Sequence, residues 1–176
     1  NEQKKIDHVS DIFKGQTVAT ISGKTDDFVS ERFEDFYDIS LSIKGLTTLE
    51  NAFNNYTKKE DLSDSYDTGI EGKEKISVEI QIQLFKLPKV LTIHLQRFEY
   101  DFIHDTLTKI YDELQYPPIL DLTPFVHKNS EHAKPEMEKK YVLLGILVHS
   151  GDAFFGHYYA YLQPFVGQDV TDEHFY

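Results

Sequence analysis

Apolar and polar residues alternate with a period of two along much of this chain and fall into a helical period in one short stretch. Gly15 to Ile21 is rich in β-forming residues and predicts a strand. From Phe36 to Ile43, Tyr37, Ile39, Leu41 and Ile43 fall on one face and Asp38, Ser40 and Ser42 on the other. That is the pattern of a half-buried antiparallel strand, and Lys44-Gly45 ends it. Thr47 as N-cap with Glu50 at N3 reads as a capping box. Leu49, Ala52, Phe53 and Tyr56 then follow at the spacing of one short amphipathic helix. Residues 57–75 are polar and glycine-containing and predict a loop or tip. Ile76, Val78, Ile80, Ile82 and Leu84 alternate with polar residues and predict a long strand with one wet face. Pro88 marks a break, and Val90 to Phe98 predicts another strand. Tyr141 to Val148 is nearly all apolar, which suits a strand buried on both faces, and His157 to Leu162 is a last strand. Tyr116-Pro117-Pro118 and Pro124 mark irregular structure, and 127–140 is a charged loop. The fold class is therefore α+β, dominated by an antiparallel sheet.

Composition narrows the function. The 176 residues fit one domain or a large piece of a bigger one, and thirteen Phe and eleven Tyr supply a core. Eighteen basic residues against thirty acidic ones give a formal charge of −12. Phosphate binding needs a basic face, so nucleic acid is not an expected partner, whereas a basic protein surface is. There is no cysteine, which rules out disulfides and thiolate metal sites within the chain and puts any thiol nucleophile outside it. No apolar run approaches the ~20 residues of a membrane helix. The chain begins at Asn1, without an initiator Met or signal-peptide core. This leads to the expectation of a fragment from a cytoplasmic or nuclear protein.

Candidate chemistry concentrates on two of the eight histidines. His8, His104, His127, His132 and His174 lie in polar segments, and His94 alternates within a strand. His149 and His157 instead stand at the two ends of a loop joining two strands, with Gly151 and Gly156 beside them. A histidine at the mouth of a strand is held rigidly yet stays reachable, which suits a general base titrating near neutrality. The rival reading is a metal site built from His149, Asp152 and His157, for which no third ligand of recognisable spacing stands out.

Two motifs carry a family resemblance. Gly156-His157-Tyr158-Tyr159-Ala160-Tyr161, with His149-Ser150-Gly151 upstream, resembles the histidine box of the ubiquitin-specific proteases. Leu87 to Tyr100 (LPKVLTIHLQRFEY) is similar to that family's "LPxxLxxHLxRFxY" strand. Glu34 to Leu41, Lys109, Tyr116-Pro117 and Leu120-Asp121-Leu122 follow in the order the family shows, so the likeness spans residues 10–163. The resemblance implies a papain-like cysteine-protease fold of fingers (about 15–86) and palm (about 87–176). The helical thumb that carries the nucleophile would be missing from this chain. It implies deubiquitination, the thiol-dependent hydrolysis of the bond after ubiquitin's terminal glycine, with His157 as base. His149, Ser150, Gly151, Asp152, Gly156 and Tyr158 would line the channel for the ubiquitin tail, supported by Arg97 and Phe98. The implied partners are ubiquitin, ubiquitinated proteins and the thumb segment of the same catalytic domain, with no nucleic acid and no membrane.

Three departures from the family pattern qualify this. Without the thumb cysteine the chain by itself is expected to be inactive. Gly23 and Asp26, then Thr68 and Glu71, stand where many relatives carry two Cys-x-x-Cys pairs, so no structural zinc and no other cofactor is expected. Val166 falls where the triad's Asp or Asn belongs, so either the triad is degenerate, with Asp169 as a weak substitute, or a segment is missing after Pro164 or Phe165; the absent tryptophan-containing turn favours the missing segment. That gap motivates the alternative of a catalytically inactive relative that binds ubiquitin or scaffolds a complex.

Overall fold

The computed structural model describes residues 7–25, 27–69, 75–135, 137 and 139–163. In chain order these form α1 (His8–Phe13), β1 (Gly15–Gly23), β2 (Val29–Phe36), β3 (Ile39–Ser42), α2 (Leu49–Tyr56), β4 (Glu60–Tyr66) and β5 (Ile76–Lys86). Then follow β6 (Ile93–Gln96), β7 (Phe98–Asp101), β8 (Thr106–Lys109), β9 (Ile119–Asp121), β10 (Lys140–Val142), β11 (Gly145–Gly151) and β12 (Gly156–Leu162). One antiparallel sheet runs in the order β2-β1-β5-β4. The other strands pair off as parallel β3/β6 and antiparallel β7/β8, β9/β10 and β11/β12. The architecture is the α+β, mostly antiparallel one that the alternation predicts. Among the described residues α1 and α2 are the only α-helices, with six and eight residues, and neither is a helical thumb.

The core gathers where α2 lies on β3. Ile39, Leu41 and Ile43 point inward on alternate positions and are essentially inaccessible. Leu49, Ala52 and Phe53 present the buried stripe of α2. Phe53 stacks on Phe125 at 5.2 Å, and Leu84, Leu87, Leu114, Leu120 and Leu122 close the cluster. A fully buried side chain of this kind contributes roughly 1.5–3 kcal/mol. Tyr141 anchors the far side by donating its hydroxyl to the Pro88 carbonyl, and burial pushes that phenol up to about 12.

Several expectations need correction. The stretch 36–43 is two strands: Phe36 ends β2, the chain bends at 37–38, and Tyr37 is exposed, its hydroxyl 2.7 Å from Ser10 Oγ. β3 pairs in parallel with β6 rather than antiparallel, Ile39 opposite Ile93. The N-cap is Thr48, which accepts from the Asn51 amide at 3.1 Å. Thr47 is not free to cap, because its carbonyl accepts from the Gln115 amide in a short parallel bridge. Residues 57–75 are not all loop, since they contain edge strand β4, whose pairing with β5 slips between Leu62 and Tyr66. Tyr141–Val148 is neither one strand nor buried on both faces: it breaks between β10 and β11, and Leu147 is 72% exposed. Leu147 lies on the same face as His149, whose ring is packed, and is itself left open.

The loop after the core carries a pH-sensitive group. Ser130 donates to the Phe85 carbonyl and accepts from the His132 amide, fixing a turn over Glu131–Ala133 on the end of β5. The His132 side chain is 12% exposed, and its Nδ1 has no partner among the described residues. Burial lowers its pKa; the Glu131 carboxylate pulls it up, and Lys139 and Lys86 push it down. A folded-state pKa below the ordinary value of about 6.5 means that the unfolded chain binds the proton first. Stability is therefore expected to fall as pH drops through about 6.5, and His132→Gln to flatten that fall. Melting temperatures of both forms between about pH 7.5 and about pH 5.5 check this, and parallel curves would exclude His132 as the source.

Candidate active site

The β11/β12 hairpin positions both histidines. Its register pairs His149 with Tyr158, Ser150 with His157 and Gly151 with Gly156. Residues directly opposite share a face and neighbours along a strand alternate. His149 and Tyr158 therefore lie on one face, and Ser150 and His157 on the other. Gly151 has φ +125, a backbone state open to glycine, and begins the tight turn. Asp152 closes the turn: its Oδ1 accepts from the Phe154 and Phe155 amides at 2.8 Å each, and its own amide donates to the Phe155 carbonyl at 2.9 Å. Those amides of Phe154 and Phe155 hold its carboxyl below the usual carboxylate range.

His149 sits in a packed nest. Its ring lies 4.7 Å from that of Tyr158 and edge-on to Phe98 at 5.6 Å. The Lys109 ammonium, at the end of β8, donates to the carbonyls of His149 at 2.9 Å and Gly151 at 2.7 Å, and lies 3.1 Å from His149 Nδ1. An ammonium has only donors, so Nδ1 accepts and the ring proton sits on Nε2. Tyr111 adds its hydroxyl to the Gly151 carbonyl at 3.3 Å. Arg97 holds the strand exit in place, donating to the carbonyls of Ile110 at 3.2 Å and Asp112 at 2.9 Å. A Cβ at Gly156 would overlap the Nε2 of His149.

His157 is different: it is exposed, and its imidazole has no hydrogen-bond or ion-pair partner among the described residues. It is presented, not packed. The metal reading fails on geometry. The two histidines face opposite sides, a cationic ammonium occupies His149 Nδ1, and Asp152 is spent on its own turn. No cluster of three His, Cys, Asp or Glu side chains occurs among the described residues.

Of the residues singled out from sequence, Arg97, Phe98, His149, Gly151, Gly156 and Tyr158 are brought together, Ser150 lies beside His157, and Asp152 caps the turn. Asp169 and Val166 lie outside the described residues, as do Asp26 and Glu71. Sequence reasoning missed the part played by Lys109 and Tyr111. The signal was faint: a lysine ending a short strand, 40 residues from its partner.

The fold is the mostly antiparallel, papain-like one of the ubiquitin-specific proteases. It covers 93% of this chain in superposition on 36% of a solved chain of the SAGA Ubp8/Sgf11/Sus1/Sgf73 DUB module bound to ubiquitin aldehyde, with a TM-score of 0.78 and 28% identity. The family model for ubiquitin carboxyl-terminal hydrolase matches residues 1–172, and the chain belongs to that family. It is 35% identical over 156 residues to ubiquitin carboxyl-terminal hydrolase 15 of Schizosaccharomyces pombe, and 34% identical over 167 residues to ubiquitin carboxyl-terminal hydrolase 15 of Saccharomyces cerevisiae. Each comparison covers 89% of this chain but 14% and 13% of the relative, so the chain spans about a seventh of the length of the curated relatives it matches.

Gly156→Ala tests the packing. The added methyl has to displace the His149 ring, and overpacking of this sort costs about 1–3 kcal/mol. Amide exchange across 149–157 is expected to quicken about tenfold or more while β1 and β5 keep their protection. Unchanged exchange would mean that the ring has room to move.

Proposed function

We propose that this chain is the base-bearing part of a cysteine-type deubiquitinase. The observation that carries the reading is His157, exposed and unpartnered among the described residues, on a hairpin whose other histidine, His149, and whose turn carboxylate, Asp152, are both held by hydrogen bonds. In this reading the imidazole takes the proton of a cysteine thiol supplied from outside the chain. The thiolate attacks the carbonyl of ubiquitin's terminal glycine, and His157 returns the proton to the leaving amine. Water then cleaves the thioester. His149, Ser150, Gly151 and Tyr158 would flank the extended glycine tail, for which strand edges and glycine backbone are apt receptors. A solved neighbour bound to ubiquitin aldehyde supports ubiquitin as the partner.

The proposed thumb segment has a candidate surface. Ile119 and Val142 face one another across β9/β10, and with Leu144, Leu147 and Leu162 they are between 40% and 76% exposed. Exposed apolar side chains gathered on a protein surface are the usual substance of a docking face, and a helical segment of the same catalytic domain is the proposed occupant. The second reading, an inactive ubiquitin-binding relative, is favoured by one observation: no carboxylate or amide orients His157 among the described residues.

The test is release of a fluorophore from the ubiquitin C-terminus by the full-length protein. His157→Ala is expected to lower kcat about 100- to 10,000-fold while ubiquitin affinity changes little, since a general base acts in the transition state. Equal losses of affinity and rate would remove His157 from the base role. A wild-type protein that binds ubiquitin without turnover would establish the second reading. The charge of −12 adds another expectation. Affinity for ubiquitin should weaken as salt is raised from about 0.05 to about 0.5 M, as the screening length shortens. A flat titration would show that the acidic surface does not face the partner.

A further inference from the structure

We propose that Lys109 is a positioning residue for the reaction, a three-point clamp that sets where the hairpin presents His157. The inference rests on the deubiquitinase reading above and deepens it.

A lysine ammonium has three donor directions and no acceptor. All three are spent on one neighbouring hairpin: the His149 carbonyl, the Gly151 carbonyl and His149 Nδ1. The two carbonyls bracket Ser150, the residue opposite His157. Holding 149 and 151 from one point therefore fixes the strand segment against which His157 is registered. The contact to Nδ1 does more. It turns the imidazole so that Nε2 lies over Gly156, where a Cβ would overlap it. Gly156 immediately precedes His157. The order of contact is Lys109, His149, Gly156, His157: a hydrogen bond, a steric contact and the peptide bond between chain neighbours.

The hairpin needs such a clamp. On the face it shares with His149, Leu147, Tyr158 and Leu162 are 72%, 62% and 76% exposed. Tyr159 and Tyr161, on the His157 face, are exposed as well. Among the described residues apolar burial does little to fix the hairpin's angle, so direct polar contacts have to. The clamp acts on the face opposite His157 and leaves the base itself unobstructed. Arg97, bracketing Tyr111 through the carbonyls of Ile110 and Asp112, keeps the strand end that carries Lys109 in register.

The experiment uses the full-length protein with Lys109→Met, which keeps the aliphatic stem and removes the donors, and Lys109→Arg, which keeps the charge but replaces the convergent donors with a planar fork. Turnover of a ubiquitin C-terminal fluorophore and amide exchange are read on the same samples. Misplacing a reacting group by about 1 Å costs about 100-fold. Lys109→Met is expected to lower kcat about 10- to 100-fold with KM within about threefold, and to quicken exchange of the 149–157 amides while β1 and β5 stay protected. Gly156→Ala, with Lys109 intact, is expected to reproduce both effects. A rise in KM alone would make Lys109 a tail-binding residue and overturn the proposal, as would full rescue by Lys109→Arg, which would reduce its role to charge. If the wild type shows no turnover, the deubiquitinase reading fails, and exchange decides the clamp by itself: unchanged protection at 149–157 in Lys109→Met would overturn it.

Discussion

One ammonium group holds the candidate site in place. The β11/β12 hairpin has little apolar anchorage within the described residues, so the usual source of positional stability, side chains sunk in a core, is thin there. What ties the hairpin to the rest of the palm is the contact of Lys109 with two carbonyls and a ring nitrogen, seconded by Tyr111 and the edge of Phe98. Hydrogen bonds to a charged group contribute roughly 1.5–3 kcal/mol each when shielded, and less when water competes. That is modest against the cost of unfolding a domain, yet ample to choose among orientations of a hairpin with few other anchors. The core around Phe53 and Phe125 decides whether the fold forms, and Lys109 decides how the hairpin sits on it.

The two faces of the hairpin divide the work. A strand period of two sends His149 to the side of the clamp and His157 to the opposite side, so one histidine can be immobilised while its neighbour in space stays solvent-facing. The same parity explains why two histidines separated by a glycine-bearing loop do not converge on a metal. Asp152 shows a similar economy. Its carboxylate looks available in sequence, but the turn it closes supplies two amides that consume it. Tight turns recruit Asx side chains in this way, because the alternative is unpaired backbone donors.

How much of this was legible in sequence depends on what a pattern encodes. Alternation revealed Ile39, Leu41 and Ile43 as one buried face, and helical spacing revealed α2, because both depend on local geometry. Alternation does not say which strand lies alongside or in which direction, and the parallel pairing of β3 with β6 was missed accordingly. Edge strand β4 escaped because Glu60 to Tyr66 is mostly polar, as an edge can be when it is paired on one side only. The N-cap was misplaced by a single residue because a distant backbone, Gln115, engages the carbonyl of Thr47. The histidine box was readable as a motif, but the clamp beneath it joins residues 109 and 149, and no short-range pattern carries such a pair.

The stretch Tyr141–Val148 supplies the sharpest physical lesson. Its composition is that of a strand covered on both sides, and among the described residues only one side is partly covered: Tyr141, Leu143, Ile146 and Val148 are half-buried, whereas Val142, Leu144 and Leu147 are exposed. Both statements hold if the covering element comes from elsewhere. Ile119, Val142, Leu144, Leu147 and Leu162 are between 40% and 76% exposed, so each would gain only that fraction of the roughly 1.5–3 kcal/mol of a full burial, on the order of 5 kcal/mol together. Docking a tethered segment forfeits little translational freedom compared with capturing a separate molecule, so a larger share of that gain survives as stability. The same docking would add apolar support to a hairpin that here leans on polar contacts, and would narrow the range of angles at which His157 is offered. The exposed apolar side chains and the Lys109 clamp thus act on one coordinate, the tilt of β11/β12: the clamp sets it at the turn, and a partner seated on Leu147 and Leu162, farther along the same face, would lock it along the strands.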